Sequence, residues 1–165
     1  MIKKKICMLG AFAAGKTSLV RRYVHSLFSE KYHTTVGVKI EKKPVNINGT
    51  PVDLLLWDIY GEDEFQAVRT SYLRGASGCL LVVDGTRRYT LDTAHDLLKR
   101  IQEAVGTIPV LFVINKSDLM DSWEIEPVQL EALEKQGMLI VRTSAKDGSN
   151  VEKAFTTLAK MMLEV

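Results

Sequence analysis

The stretch Gly10-Ala11-Phe12-Ala13-Ala14-Gly15-Lys16-Thr17 decides the fold. It fits GxxxxGK[ST], and its surroundings fit too. The apolar run Ile6 to Leu9 before it reads as a buried strand, and Leu19, Val20, Tyr23, Val24 and Leu27 after it recur at helical spacing. A loop that ends a strand and opens a helix offers backbone N–H groups and the positive end of the helix dipole to phosphate. Gly10 and Gly15 permit approaches that a Cβ would block. Lys16 can reach the β- and γ-phosphates as a point charge, and Thr17 offers a hydroxyl to Mg²⁺.

Working outward, apolar runs alternate with helical patterns along the whole chain. Val36 to Val45 and Pro51 to Trp57 read as two strands joined at Asn48-Gly49, a strong hairpin signal. Cys79 to Val83 and Val110 to Ile114 are wholly apolar, as strands buried on both faces are, and Met138 to Val141 is a last strand. Leu91, Ala94, Leu98, Ile101 and Val105 mark one helix face, and Pro127 opens a helix carrying Val128, Leu130 and Leu133. Ser149 and Glu152 predict a capping box before a helix faced by Val151, Ala154, Phe155, Leu158, Ala159 and Met162. The expectation is a single α/β domain over 1–165, with a six-stranded, mostly parallel sheet, one antiparallel edge hairpin, and helices on both faces.

Past the strand ending at Ile114 stands Asn115-Lys116-Ser117-Asp118. As a bare tetrapeptide it is a weak signal; at a strand C-terminus downstream of a phosphate loop it is a strong one. Guanine presents two donors along one edge, N1–H and the 2-amino group, and the Asp118 carboxylate can accept both. Adenine has an acceptor at N1 and no amino group at C2, which leaves the carboxylate unmatched. Thr143-Ser144-Ala145-Lys146 follows the last strand and could supply a backbone N–H to the base oxygen and the Lys146 stem to cover the ring.

The phosphate loop, the NKxD tetrapeptide and the Ser144-Ala145-Lys146 element, in this order, resemble a Ras-superfamily small GTPase across essentially the whole chain. The stretch from Thr35 to Gly61, TVGVKI…LLLWDxxG, is most like the Rab branch. The resemblance implies that Gly10 to Ser18 line the phosphates, that Phe28 stacks edge-on against guanine and that Tyr32 lies over the phosphates. It implies that Thr35 meets Mg²⁺ and the γ-phosphate, that Asp58 holds Mg²⁺ through water, and that the Gly61 N–H contacts the γ-phosphate. The ligands expected are GTP or GDP with Mg²⁺. The partners expected are effector, exchange-factor and activating proteins, which read the loops around Thr35 and Gly61. Asp58 also stands on its own: it ends an apolar strand, where a carboxylate is costly unless it meets a cation.

Three features depart from that pattern, all near the γ-phosphate. Phe12 stands where many relatives carry glycine. Ile59-Tyr60 replace Thr-Ala, and Glu62 replaces the glutamine that orients the attacking water. Glutamine donates and accepts; ionised Glu62 only accepts, and its charge sits beside a phosphate gaining negative character. Nucleotide binding with slow or altered GTP hydrolysis is the expectation, with Lys16, Thr35, Gly61 and Glu62 as the catalytic set. A constitutively GTP-loaded binding module is the alternative. Arg69 and Arg74 are expected on a solvent-facing helix. A built-in cation for the phosphate from these or from Arg87 or Arg88 is conceivable, but nothing in the sequence aims one.

Composition narrows the rest. With 46% hydrophobic and 25% charged residues the chain is a folded one, and a net charge of +2 argues against a nucleic-acid partner. Lys3-Lys4-Lys5 reads as a solvated strand start. Cys7 and Cys79 sit in apolar runs, without metal or redox spacing, as buried hydrophobes of a reduced cytosol. No signal peptide, membrane span or terminal lipidation cysteine is visible, so a cytoplasmic monomer is the expectation. A P-loop kinase or ATPase is disfavoured, since no lid rich in arginine is visible and Asp118 selects against adenine.

Overall fold

Strand β1 runs further than its apolar run. It spans Ile2–Gly10 in the computed structural model of the chain, which describes residues 1–26, 38–59 and 70–164. The lysine run joins the strand by pairing with residues 53–55, and its last member also finds cover: Lys5 Nζ lies 3.5 Å from the Trp57 ring centroid and donates to the Arg74 carbonyl at 2.7 Å. The other strands are β2 (Val38–Ile47), β3 (Thr50–Ile59), β4 (Gly78–Asp84), β5 (Val110–Asn115) and β6 (Leu139–Arg142). They form one sheet in the order β2-β3-β1-β4-β5-β6, in which only β2 and β3 pair antiparallel. Their turn is the expected one: Asn48 and Gly49 both take positive φ, 51° and 88°, and Asn46 Oδ1 accepts the Gly49 N–H at 2.8 Å.

Side-chain alternation in β1 sorts the core into two layers. Ile6 and Met8 face a cluster with Leu19 and Val20 of α1 (Lys16–His25) and the apolar face of α4 (Val151–Leu163). Tyr23 stacks on Phe155 there, ring centroids 4.1 Å apart, which fixes α1 against α4. Cys7 and Leu9 face the opposite cluster, with α2 (Tyr89–Val105) and α3 (Pro127–Lys135). Cys7 and Cys79 are both buried and free, and they are register partners on adjacent strands, which no sequence spacing could show.

Four local expectations are corrected. α4 is capped by Asn150, at φ 58°, without a side-chain cap bond; Ser149 lies one residue too early, its N–H taken by Asp147 Oδ1. The capping box belongs instead to α3, where Glu126 and Gln129 reciprocate. On α2 the inward leucine is Leu97, with Leu98 at the flank. On α3, Val128 is 61% exposed: it is the second helical residue, on the side away from Leu130 and Leu133. Arg74 is exposed as expected, but it follows a short 3₁₀ turn, Thr70–Leu73, rather than an α-helix; Arg69 lies outside the described residues. Among the described residues, no helix is long and apolar enough to cross a membrane.

Candidate functional site

Pairing register brings the predicted residues to one rim. Met8 is level with Asp58, Gly10 with Val82, Asp84 with Asn115, and Ile114 with Arg142, so the C-terminal ends of the parallel strands gather the loop, two carboxylates and the Asn115 tetrapeptide. Gly10 is obligatory for this packing: a Cβ there would stand 2.3 Å from the Val82 carbonyl oxygen.

The loop Gly10–Ala14 has every carbonyl held by a side chain. Lys16 Nζ donates to Gly10 O at 3.2 Å and Ala11 O at 3.1 Å. Arg87 Nη2 donates to Phe12 O at 2.8 Å, Lys116 Nζ to Ala13 O at 3.2 Å, and Asn115 Nδ2 to Ala14 O at 3.1 Å. In a trans peptide the next residue's N–H points opposite to the carbonyl. Carbonyls drawn off by these donors turn the following amides the other way, as in an anion nest, with the Ala14 N–H itself taken by the Ala11 carbonyl at 3.1 Å. Ala13 sits at φ 60° within it, and α1 starts directly behind.

Lys16 is 6% exposed. Burial pulls its ammonium down to about 8, against a rise from Asp58, while Arg87 lowers it further. Because the fold favours its neutral amine, this lysine contributes stability to the ligand-free fold that is fully present above the ordinary 10.5 and is lost as pH falls through about 8. A bound phosphate works the other way, since it favours the charged amine. Nucleotide binding near pH 8 should therefore take up protons, and affinity should weaken as pH climbs further. Titration calorimetry in two buffers of different ionisation enthalpy measures that uptake; equal heats in both would refute it.

Thr17 Oγ1 donates to Asp58 Oδ2 at 2.6 Å, and Asp58 is 2% exposed. A hydroxyl and a carboxylate side by side at the loop's end are hard oxygen donors of the kind Mg²⁺ takes, with phosphate and water completing its shell. Among the described residues no group of three or more His, Cys, Asp or Glu is gathered as a metal site. The donor set fits.

On the base side, Asn115 is 2% exposed and serves as a tie. Its Oδ1 accepts from Thr143 Oγ1 at 3.0 Å and from the Ala145 N–H at 3.3 Å, while its Nδ2 holds the phosphate loop. Ser144 Oγ donates to Asp118 Oδ1 at 2.7 Å, which orients an otherwise exposed carboxylate. Arg22 of α1 donates to the Ala145 carbonyl at 2.8 Å and also to the Lys146 carbonyl, so the Ser144–Lys146 element is braced from behind. Asn115 and Lys116 of the tetrapeptide thus connect the two halves of the site.

Sequence reasoning missed Asp84. It is fully buried and accepts from Arg87 Nε at 2.8 Å, Lys116 Nζ at 2.7 Å and Thr86 Oγ1 at 2.6 Å. Burial raises its carboxyl, but the bonds from Lys116, Thr86 and Arg87 outweigh that and hold it below the usual range. The available signal was the one used for Asp58: a carboxylate closing an apolar strand. The loop around Trp123 is latched to the same turn. Glu124 N–H donates to Gly85 O at 2.8 Å, Arg88 pairs with Glu126 at 3.0 Å, and a Cβ on Gly85 would stand 2.2 Å from the Trp123 ring. A cavity of about 580 Å³ lies between Arg88, Trp123 and Pro127.

Phe28, Tyr32, Thr35, Tyr60, Gly61 and Glu62 lie outside the described residues. The remaining predicted residues, Gly10 to Ser18, Asp58, Asn115, Lys116, Asp118 and Ser144 to Lys146, share the rim.

A model described as Ras family matches residues 5–164. Ras-related protein SEC4 of Saccharomyces cerevisiae is 38% identical over 162 residues, which is 97% of this chain and 75% of that one. Ras-related protein RABA5a of Arabidopsis thaliana is 36% identical over 163 residues, 98% of this chain and 74% of that one. Ras-related protein Rab-25 of Bos taurus is 36% identical over 158 residues, 94% and 74%.

Proposed function

The chain belongs to the Ras family of GTP-binding switches, most like its Rab-named members, and from that premise we propose how its own residues bind and process the nucleotide. The rim holds GTP or GDP with the phosphates against the Gly10–Ser18 loop and guanine against Asp118, Ala145 and Lys146. The supporting observation is the hold of Arg87, Lys116 and Asn115 on the Phe12, Ala13 and Ala14 carbonyls, because it turns the N–H groups of Ala13 and Gly15 the opposite way, where phosphate oxygens can meet them. Lys16 exchanges its two carbonyls for phosphate oxygens. Thr17 and Asp58, with Thr35, hold Mg²⁺, which when bound neutralises phosphate charge. Thr35 and Gly61 then report the γ-phosphate to effector, exchange-factor and activating proteins.

Hydrolysis is slow in this reading, because Glu62 cannot donate to the transition state as a glutamine can. Single-turnover cleavage of GTP in the presence of Mg²⁺ should proceed at or below about 10⁻⁴ s⁻¹, the order of intrinsic turnover in small GTPases. Glu62→Gln should raise it, and Phe12→Gly should clear the mouth of the loop. Faster cleavage by the unaided wild type refutes the reading. No cleavage over many hours identifies a GTP-loaded module switched only by exchange or by a partner.

A further inference from the structure

Arg87 is joined to the phosphate loop across 75 positions of sequence, and three of its nitrogens are engaged at once. Nε meets Asp84 Oδ2 at 2.8 Å, Nη1 the Tyr89 hydroxyl at 2.6 Å, and Nη2 the Phe12 carbonyl at 2.8 Å. The peptide it grips leads into Ala13, whose φ of 60° is a strained conformation for a residue with a Cβ. Lys116 grips the carbonyl on the far side of the same residue. Both peptides flanking Ala13 are therefore pinned, and both pins are anchored on the one buried carboxylate of Asp84.

The geometry points to Arg87 as a positioning residue for nucleotide binding: by holding the Phe12 carbonyl it keeps the Phe12–Ala13 peptide turned, with the Ala13 N–H toward the phosphates, against the strain at Ala13. Left without that grip, the peptide relaxes by rotating, Ala13 moves toward negative φ, and one amide is lost from the nest. Lysine cannot replace arginine, since a point charge on a flexible stem cannot meet Asp84, Tyr89 and Phe12 together. The inference rests on the loop being the nucleotide's phosphate site.

Release rates of GDP and of a non-hydrolysable GTP analogue, both fluorescently labelled, test it in wild type, Arg87→Ala, Arg87→Lys, Ala13→Gly and the Arg87→Ala/Ala13→Gly double variant. Arg87→Ala and Arg87→Lys should each release nucleotide about tenfold faster. Glycine carries no strain at this φ, so in the Ala13→Gly background the loss of Arg87 should matter less than about twofold. A purely structural role would not be rescued by glycine. An undiminished tenfold effect in that background overturns the inference, as does an Arg87→Ala variant with wild-type release, or full recovery by lysine. A wild-type chain that retains no guanine nucleotide would instead bring down the nucleotide reading, and this inference with it.

Discussion

Asp118→Asn should invert the base preference, from guanine over xanthine to xanthine over guanine. The carboxylate presents two acceptors, which match the N1–H and 2-amino donors of guanine. The amide presents one acceptor and one donor, which match the N1–H and the 2-carbonyl of xanthine. Guanine then meets a donor with a donor. Sites built to hydrogen-bond a polar edge reject a mismatched one by roughly 10⁴-fold, so a swing of at least about 10³-fold in each direction is expected. Folding should be spared, because Asp118 is exposed and an asparagine oxygen can still accept from Ser144 Oγ, now at 2.7 Å. Displacement of a fluorescent nucleotide by GDP and by XDP, with melting temperature as the control, gives the answer. If the variant folds like wild type and still prefers GDP, Asp118 does not read the base.

Legibility followed the range over which each interaction acts. The strands, the hairpin turn and the phosphate loop are local: hydrophobic period, an Asn48-Gly49 pair and glycines at fixed offsets carry their own signals. Asp118 and Ser144 were legible because their motifs sit directly behind strands. Asp84 carried the Asp58 signal, a carboxylate closing an apolar strand, but what it and Arg87 do was not legible, since it lies in contacts with Phe12 and Lys116, distant in sequence and joined only once β4 lies between β1 and β5. Arg22 stayed hidden for the same reason, being 123 positions from the carbonyl it holds at Ala145. The misplaced capping box shows the converse: Ser149 and Glu152 have the spacing, but the backbone reverses at Asn150 and the serine is spent in a turn. Spacing offers a cap; the neighbouring φ angles decide whether it is used.

Gly15→Ala should abolish detectable guanine-nucleotide binding and destabilise the fold. Gly15 takes φ 108°, and an added Cβ would lie 2.2 Å from Asn115 Nδ2. Asn115 cannot yield cheaply. Its amide is bonded to Ala14 O, Thr143 Oγ1 and the Ala145 N–H, so moving it frees the phosphate loop from the base loop in one step. Backbone strain of about 1–3 kcal/mol adds to roughly 1–3 kcal/mol for a buried bond left unmade. Taking about 3 kcal/mol for the pair, melting should fall by roughly 6–12 °C in a domain of this size. The clash has its own signature. If steric conflict with Asn115 is the cause, Asn115→Ala should cost less in the Gly15→Ala background than in wild type, with a coupling of about 1 kcal/mol or more. Thermal melts of the two single variants and the double measure it. Strict additivity would show that the strain at φ 108° acts alone and that Asn115 has room to move.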